Sequence, residues 1–114
     1  MNKVQQKWYS EGYCDERGAA FAAMATKLNN SFCRSIVALC VKGNTLYIYD
    51  VDMKNNILDL LFSVKLKDIK NLKIRCSIFS QVLKFEYDGA VFSFTNFLGV
   101  KPALNVIKEE NQKQ

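Results

Sequence analysis

Four cysteines, Cys14, Cys33, Cys40 and Cys76, are the most nucleophilic side chains in this chain, and there is no histidine to accompany them. Catalytic thiols are ordinarily activated by an imidazole, so without one a general base near neutral pH must be a perturbed carboxylate, lysine or cysteine. The cysteines have no CxxC spacing, and a structural zinc would need all four to converge. They read as free thiols, with Cys40 and Cys76 in strands. Asp50 and Asp52 share one face of a strand and could hold a cation, but the Asn55, Asn56 loop beside them supplies few hard ligands. No GxSxG and no glycine-rich phosphate loop is present. These residues predict no enzyme, no metal and no cofactor.

Cations are the second chemical signal. Sixteen basic against eleven acidic side chains give +5, and five of the cations, Lys65, Lys67, Lys70, Lys73 and Arg75, lie between residues 64 and 76 with Asp68 as the one carboxylate. Five cations on one plane would hold an anionic lipid surface weakly and in a salt-sensitive way, each adding about 1 kcal/mol. Ordinary solvation of an outer sheet face is the simpler account of them. Tyr47 and Tyr49 could stack on bases, but Asp50 and Asp52 follow at once and repel phosphate, so nucleic acid is disfavoured. Trp8, Tyr9 and Tyr13 form an aromatic cluster near the N-terminus that could meet a protein partner, with Tyr47 and Tyr49 as further contact candidates.

The elements that position these groups follow from periodicity. Residues 57–66 alternate, with Leu58, Leu60, Phe62, Val64 and Leu66 on one face, which predicts a long strand with those five residues in the core. After a corner at residues 68–71, Leu72, Ile74 and Cys76 alternate with Lys73 and Arg75 in a partner strand that runs to about Phe79. Residues 36–42 read as a buried strand, Gly43-Asn44 as a turn and residues 45–51 as its return. Asp88-Gly89 between two alternating runs is the strongest hairpin signal, with Leu83 and Phe85 before it and Phe92 and Phe94 after it. Phe97, Leu98 and Gly99 end the sheet. Beyond them Pro102 opens a helix whose apolar face, Val100, Ala103, Leu104 and Ile107, should plug an open end of the sheet.

The first thirty residues are less settled. Residues 1–14 read as a frayed or docked arm interrupted by Gly12. Residues 15–30 offer an acidic first turn, an alanine-rich body and Phe21, Met24 and Leu28 at helical spacing, which favours a helix. Residues 21–26 are alternatively a first strand. The chain divides accordingly into an N-terminal arm and helix over residues 1–31 and a β domain with a C-terminal helix over residues 32–114. At 49% hydrophobic and 24% charged residues the composition is that of a soluble globular domain. With no long apolar run and no leader-like segment, a cytoplasmic location is expected.

The fold class is therefore α+β: a small curved antiparallel sheet or partly open barrel of six to seven strands, with an N-terminal helix and a C-terminal capping helix. A hairpin ending in LYIYD, a long strand running into FSVKLKDIKNLKI, two strands around YDG and a closing helix together resemble a pleckstrin-homology-like (PH-like) domain. The similarity covers residues 33–110 and is nearest to the bacterial PH-like and GRAM-like branch, whose recurrent strand phrase KLKDIKNLKI resembles. It implies a binding or scaffolding module that works through protein contacts or self-association. Phosphoinositide-binding members use basic residues in the first hairpin loop; here that loop offers Lys42 alone, so no such site is carried over. Two further ligand classes remain open: anionic headgroups on Lys65, Lys67, Lys70, Lys73 and Arg75, and a small apolar ligand among Phe62, Phe85, Phe92 and Phe94.

Overall fold

The computed structural model describes residues 2–97 and 100–113. Leu98 and Gly99, expected to end the sheet, lie outside the described residues. Asn2 caps the first helix, α1 (Lys3–Ser10), through a reciprocal box. Its Oδ1 accepts from the Gln5 backbone N–H at 2.8 Å, while Gln5 Oε1 accepts from the Asn2 N–H at 2.9 Å. Gly12, at a φ of +86, ends the turn that follows. The helix thus lies within the segment read from sequence as an arm.

Residues 15–30, favoured as a helix from sequence, contain strand β1 (Ala20–Leu28), and β2 (Ser31–Lys42) follows across the Asn29-Asn30 turn. Alanine favours helix locally, but here tertiary packing decides. Phe21, Ala23 and Ala25 face the main core, whereas Ala20 and Ala22 face outward beneath α1, where only small side chains let a helix lie close to the sheet.

β3 (Thr45–Val51), β4 (Ile57–Lys65), β5 (Lys70–Cys76), β6 (Gln81–Tyr87) and β7 (Ala90–Thr95) complete the sheet. All seven strands are antiparallel to their neighbours, in the order β4-β3-β2-β1-β7-β6-β5. The two ends of that order, β4 and β5, have no strand on their far sides, so the sheet curls without closing. A single 3₁₀ turn, Leu66–Asp68, carries the chain between them. The expected hairpins are present: Asp88 and Gly89 take φ values of 52 and 77, both positive as a type I′ turn requires.

Inside the curl, Phe85 stacks on Phe92 at 5.3 Å, Phe62 meets Phe92 edge-on at 5.1 Å, and Phe94 lies 6.1 Å from Phe85. These rings fill the centre against one another. Helix α2 (Lys101–Gln112) closes one end, burying Ala103, Leu104 and Ile107 as its spacing predicts. Asn111 Nδ2 fixes its far turn by donating to the carbonyls of Leu66 at 2.8 Å and Ile69 at 3.0 Å.

One core expectation is corrected. Val64 and Leu66 are buried and Phe62 is partly so, but Leu58 and Leu60 are each 50% exposed. The β3–β4 register shifts between Ile48 and Tyr49 and again between Tyr49 and Val51. The first extra residue turns Leu60 off the core face, and the second restores the phase at Ile57, which packs with the outer cluster, leaving Leu58 at the second irregularity on the free edge. The second strand also stops earlier than expected: residues 77–80 form a turn, with the Ser77 N–H donating to the Ser80 carbonyl at 3.0 Å.

Candidate functional site

The candidate residues lie along the two outer strands of the sheet. On β4, Leu58 and Leu60 at 50% exposure and Leu61 at 39% lie along an edge with no strand neighbour. On β5, the other free edge, alternation places Leu72 and Ile74 inward and half-buried, and Lys73 and Arg75 outward and exposed. Leu72 and Ile74 form one wall of a groove of about 390 Å³, and Lys108, Asn111 and Gln112 of α2 form the other. The Asn111 hydrogen bonds described above hold the helix wall in place.

The five cations singled out in the sequence are not gathered on one plane. Lys65 lies opposite Thr45 at the end of β4. Lys67 and Lys70 line a wide depression of about 820 Å³ with Asp68, Glu86 and Asp88, so carboxylates offset them there. Lys73 and Arg75 project from β5 on the outer face. Directly opposite Lys73 on β6 stands Lys84, a residue that sequence reasoning passed over. Alternation already put Lys84 on a polar face; its partner could be known only once the register was. Like charges placed opposite one another destabilise a sheet, and neither lysine has an ion-pair partner among the described residues.

The aromatic candidates also separate. Trp8 is wholly buried, and its Nε1 donates to the Asn55 carbonyl at 2.9 Å, so its side chain anchors α1 rather than facing a partner. Lys7 supports the same contact through Asn56 Oδ1 at 2.5 Å. Tyr9 is 43% exposed on the free side of the helix. Tyr13 packs edge-on to Tyr49 at 5.1 Å, and Tyr47 stacks on Tyr49 at 6.2 Å, leaving all three rings half-covered. Burial, with Cys40 close by, raises the Tyr49 hydroxyl pKa.

Sequence reasoning put the break before β6 at Ser80-Gln81, whereas the chain already turns over residues 77–80 and leaves Ile78 81% and Phe79 91% exposed. Ser77 and Ser80 bracket the pair, and Ser77 Oγ donates to the Ser80 carbonyl at 3.1 Å. Serines flanking two apolar residues were the available signal, but the preceding alternation carried the expected strand through them.

Cys14 and Cys40 are buried, and Asp50 and Asp52 accept hydrogen bonds from the backbone. Burial raises the pKa of Cys14 and, more strongly, of Cys40, which keeps both as thiols. Asp52 accepts from the backbone N–H groups of Lys54 at 2.8 Å and Asn56 at 2.9 Å, and those bonds, with one from the Asn56 side chain, hold its carboxyl below the usual range. It organises the β3–β4 loop. Asp50 Oδ1 accepts from the N–H of Val51 at 3.0 Å. Among the described residues no three metal-ligating side chains come together, and no helix is long and apolar enough to cross a membrane.

An unclosed seven-stranded antiparallel sheet, curled around aromatic rings, with a helix at each end of the chain, is a PH-like fold. The crystal structure of the pleckstrin homology domain of ArhGAP27 is similar to this chain, with a TM-score of 0.56 and 13% sequence identity over 82% of this chain and 96% of that one. No protein-family model matches the sequence, and no curated protein matches it.

Proposed function

We propose that this chain is a non-enzymatic binding module that works through protein contacts, with another protein or with a second copy of itself. The supporting observation is the unclosed sheet: β4 and β5 each lack a strand on one side, and β4 carries Leu58, Leu60 and Leu61 exposed along its edge. Free strand edges present unpaired N–H and C=O groups, and exposed leucines beside them give an association site its apolar area. The test combines light scattering over a concentration series with affinity capture and quantitative mass spectrometry, comparing the wild-type chain with Leu58→Glu plus Leu60→Glu. Loss of self-association or of captured partners in the variant is expected. Identical mass and identical partners for both chains would rule the reading out.

A second reading has its own observation. The hydrogen-bonded turn that exposes Ile78 and Phe79 lies beyond Arg75 and Lys73 of β5, with Lys84 opposite Lys73. An apolar tip backed by cations suits the interface of an anionic bilayer. Cosedimentation with phosphatidylserine vesicles should then weaken with salt and with Phe79→Ser. Equal sedimentation with neutral vesicles would exclude it.

A further inference from the structure

A bulge in β1 aims one lysine away from where alternation puts it. Phe21, Ala23 and Ala25 face the core, and a strict period of two would send Lys27 after them. The register shifts between Ala25 and Lys27 against both neighbouring strands, which turns Lys27 onto the outer face, opposite Phe32 of β2 and Ser93 of β7. Thr26 secures the bulge by donating from Oγ1 to the Ser93 carbonyl at 3.2 Å. Ser93 in turn stands opposite Lys84 of β6, and Lys84 opposite Lys73 of β5. A single row therefore crosses the sheet in the order Phe32, Lys27, Ser93, Lys84, Lys73. At the usual strand spacing it is about 19 Å long. Arg34 and Arg75 are exposed two positions along from Phe32 and Lys73, on the same face. Lys27, Phe32, Lys84 and Ser93 border a cavity of about 190 Å³ along the row.

We infer that this row binds single-stranded nucleic acid, with the phosphates crossing the strands over the cations and one base stacked on Phe32. The carboxylate beside the row on this face is Glu86, which lies opposite Lys70 and is engaged by the Asn71 side chain. Lys27, Arg34, Lys73, Arg75 and Lys84 have no ion-pair partner among the described residues. A line of unpaired cations suits a line of phosphates, and a row of about 19 Å accommodates the shortest footprints of single-strand binders, about four nucleotides. Phe32 supplies what charge alone does not. Its ring is 86% exposed, and Lys27 Nζ lies 4.4 Å from the ring centre. A cation over one face of the ring leaves the other face for a base. The carboxylates that disfavour bases at Tyr47 and Tyr49 belong to β3 and the loop after it, and β3 pairs with β2 only beyond Ile36, so it has no residue in this row. The site is separate from the exposed leucines of β4 and goes beyond the protein-contact reading.

Fluorescence anisotropy on the full chain tests it, with a labelled DNA strand of about ten nucleotides and mixed sequence. Saturable binding that weakens as salt rises is expected. An abasic strand of the same length keeps the phosphates and should bind about tenfold more weakly, and Phe32→Ala should lose about as much on the intact strand. Lys27→Glu plus Lys84→Glu should weaken binding by at least about thirtyfold. The same change of charge off the row, in Lys65→Glu plus Lys67→Glu, should leave the affinity within about twofold of wild type. Equal affinity for the abasic strand would overturn the nucleic-acid assignment, and that control needs only the wild-type chain. Equal losses in the two charge-reversed variants would reduce the effect to net charge and overturn the site. Phosphatidylserine vesicles that displace the labelled strand better than an unlabelled strand of equal total charge would give the row to a bilayer instead. Absence of any strand binding overturns this site alone, since the Leu58 and Leu60 variant tests the protein-contact reading elsewhere on the sheet.

Discussion

Arg17 Nη1 lies 2.7 Å from Glu110 Oε2, joining residues 93 positions apart. The same guanidinium meets Asp15 Oδ2 at 2.6 Å and the Gly43 carbonyl at 2.7 Å through Nη2. One side chain thus ties the segment before β1, the β2–β3 turn and the last turn of α2. Lys113 also meets Glu110, at 2.7 Å. Arg17→Met should lower stability by about 1–3 kcal/mol, because it removes the charged hydrogen bonds to Glu110, Asp15 and the Gly43 carbonyl while Lys113 remains on Glu110. Urea denaturation measures the loss, and a change within 0.5 kcal/mol, which is typical of an exposed pair, would show the tie to be unimportant.

The carboxyls of this cluster predict an acid limb. Hydrogen bonding from Arg17 holds Asp15 at about 2, and Lys113 and Arg17 lower Glu110. Both folded pKa values lie below the unfolded ones. Their contribution is therefore complete above the ordinary carboxylate range, roughly pH 4. It is lost as pH falls from there toward about 2 for Asp15. A thermal melting series from pH 7 to pH 2 should show the wild-type chain losing more than Arg17→Met below pH 4. Parallel curves would remove these groups from the account.

Trp8 sets a third expectation. Its replacement by alanine removes a fully buried ring from between α1 and the outer face of β1, β2 and β3, and should cost about 3–5 kcal/mol. Trp8→Phe keeps most of the volume but leaves the Asn55 carbonyl with the longer bond from Lys7 Nζ at 3.3 Å, for about 1 kcal/mol. If α1 merely rests on the sheet, Trp8→Ala will cost under about 1 kcal/mol and hydrogen exchange will change in residues 3–10 alone.

Lys73 offers a prediction of opposite sign. Lys73→Glu places a carboxylate directly opposite Lys84 and should raise stability by about 0.2–1 kcal/mol at low salt. Most of the gain should vanish in molar salt. A destabilised variant would show that the facing lysines do not strain the sheet.

The thiols should react in a fixed order. Cys76 is exposed, Cys33 is half-buried with its Sγ 3.4 Å from the Ala25 carbonyl, and Cys14 and Cys40 are buried with raised pKa values. Under native conditions an aromatic disulfide reagent should modify Cys76 first and reach Cys40 only on unfolding. Fast modification of three or more thiols per chain would mean that the outer face, where Cys14 and Cys40 lie, opens readily.

Much of the architecture was legible because local chemistry and the global fold agree. Asp88-Gly89 needs positive φ at both positions, Pro102 opens α2 where the missing N–H costs nothing, and strict alternation marks β6 and β7. What was illegible lies where tertiary packing overrides the local signal. Ala20 and Ala22 read as helix but serve as the flat bed for α1, and the Asn2–Gln5 box went unrecognised because no apolar run follows it. Leu58 and Leu60 read as core because nothing in their alternation announces two register shifts. The Lys73–Lys84 pair needed the strand register, and Ile78 and Phe79 needed the turn that ends β5.

The pairing of β1 with β7 has a kinetic consequence. Every other neighbouring pair in the sheet except β4 with β3 on its shifted register and β5 with β6 across its turn is a tight hairpin, and even those two join consecutive strands, whereas Met24 meets Thr95 across most of the chain. Local hairpins close rapidly, but this ladder carries the full loop-closure entropy. The β1–β2–β3–β4 and β5–β6–β7 meanders can each form alone, with two unfinished edges apiece, and they become one sheet only when β7 finds β1. That joining step carries the largest loop-closure cost in the sheet, and until it is complete the edges of β1 and β7 are unpaired.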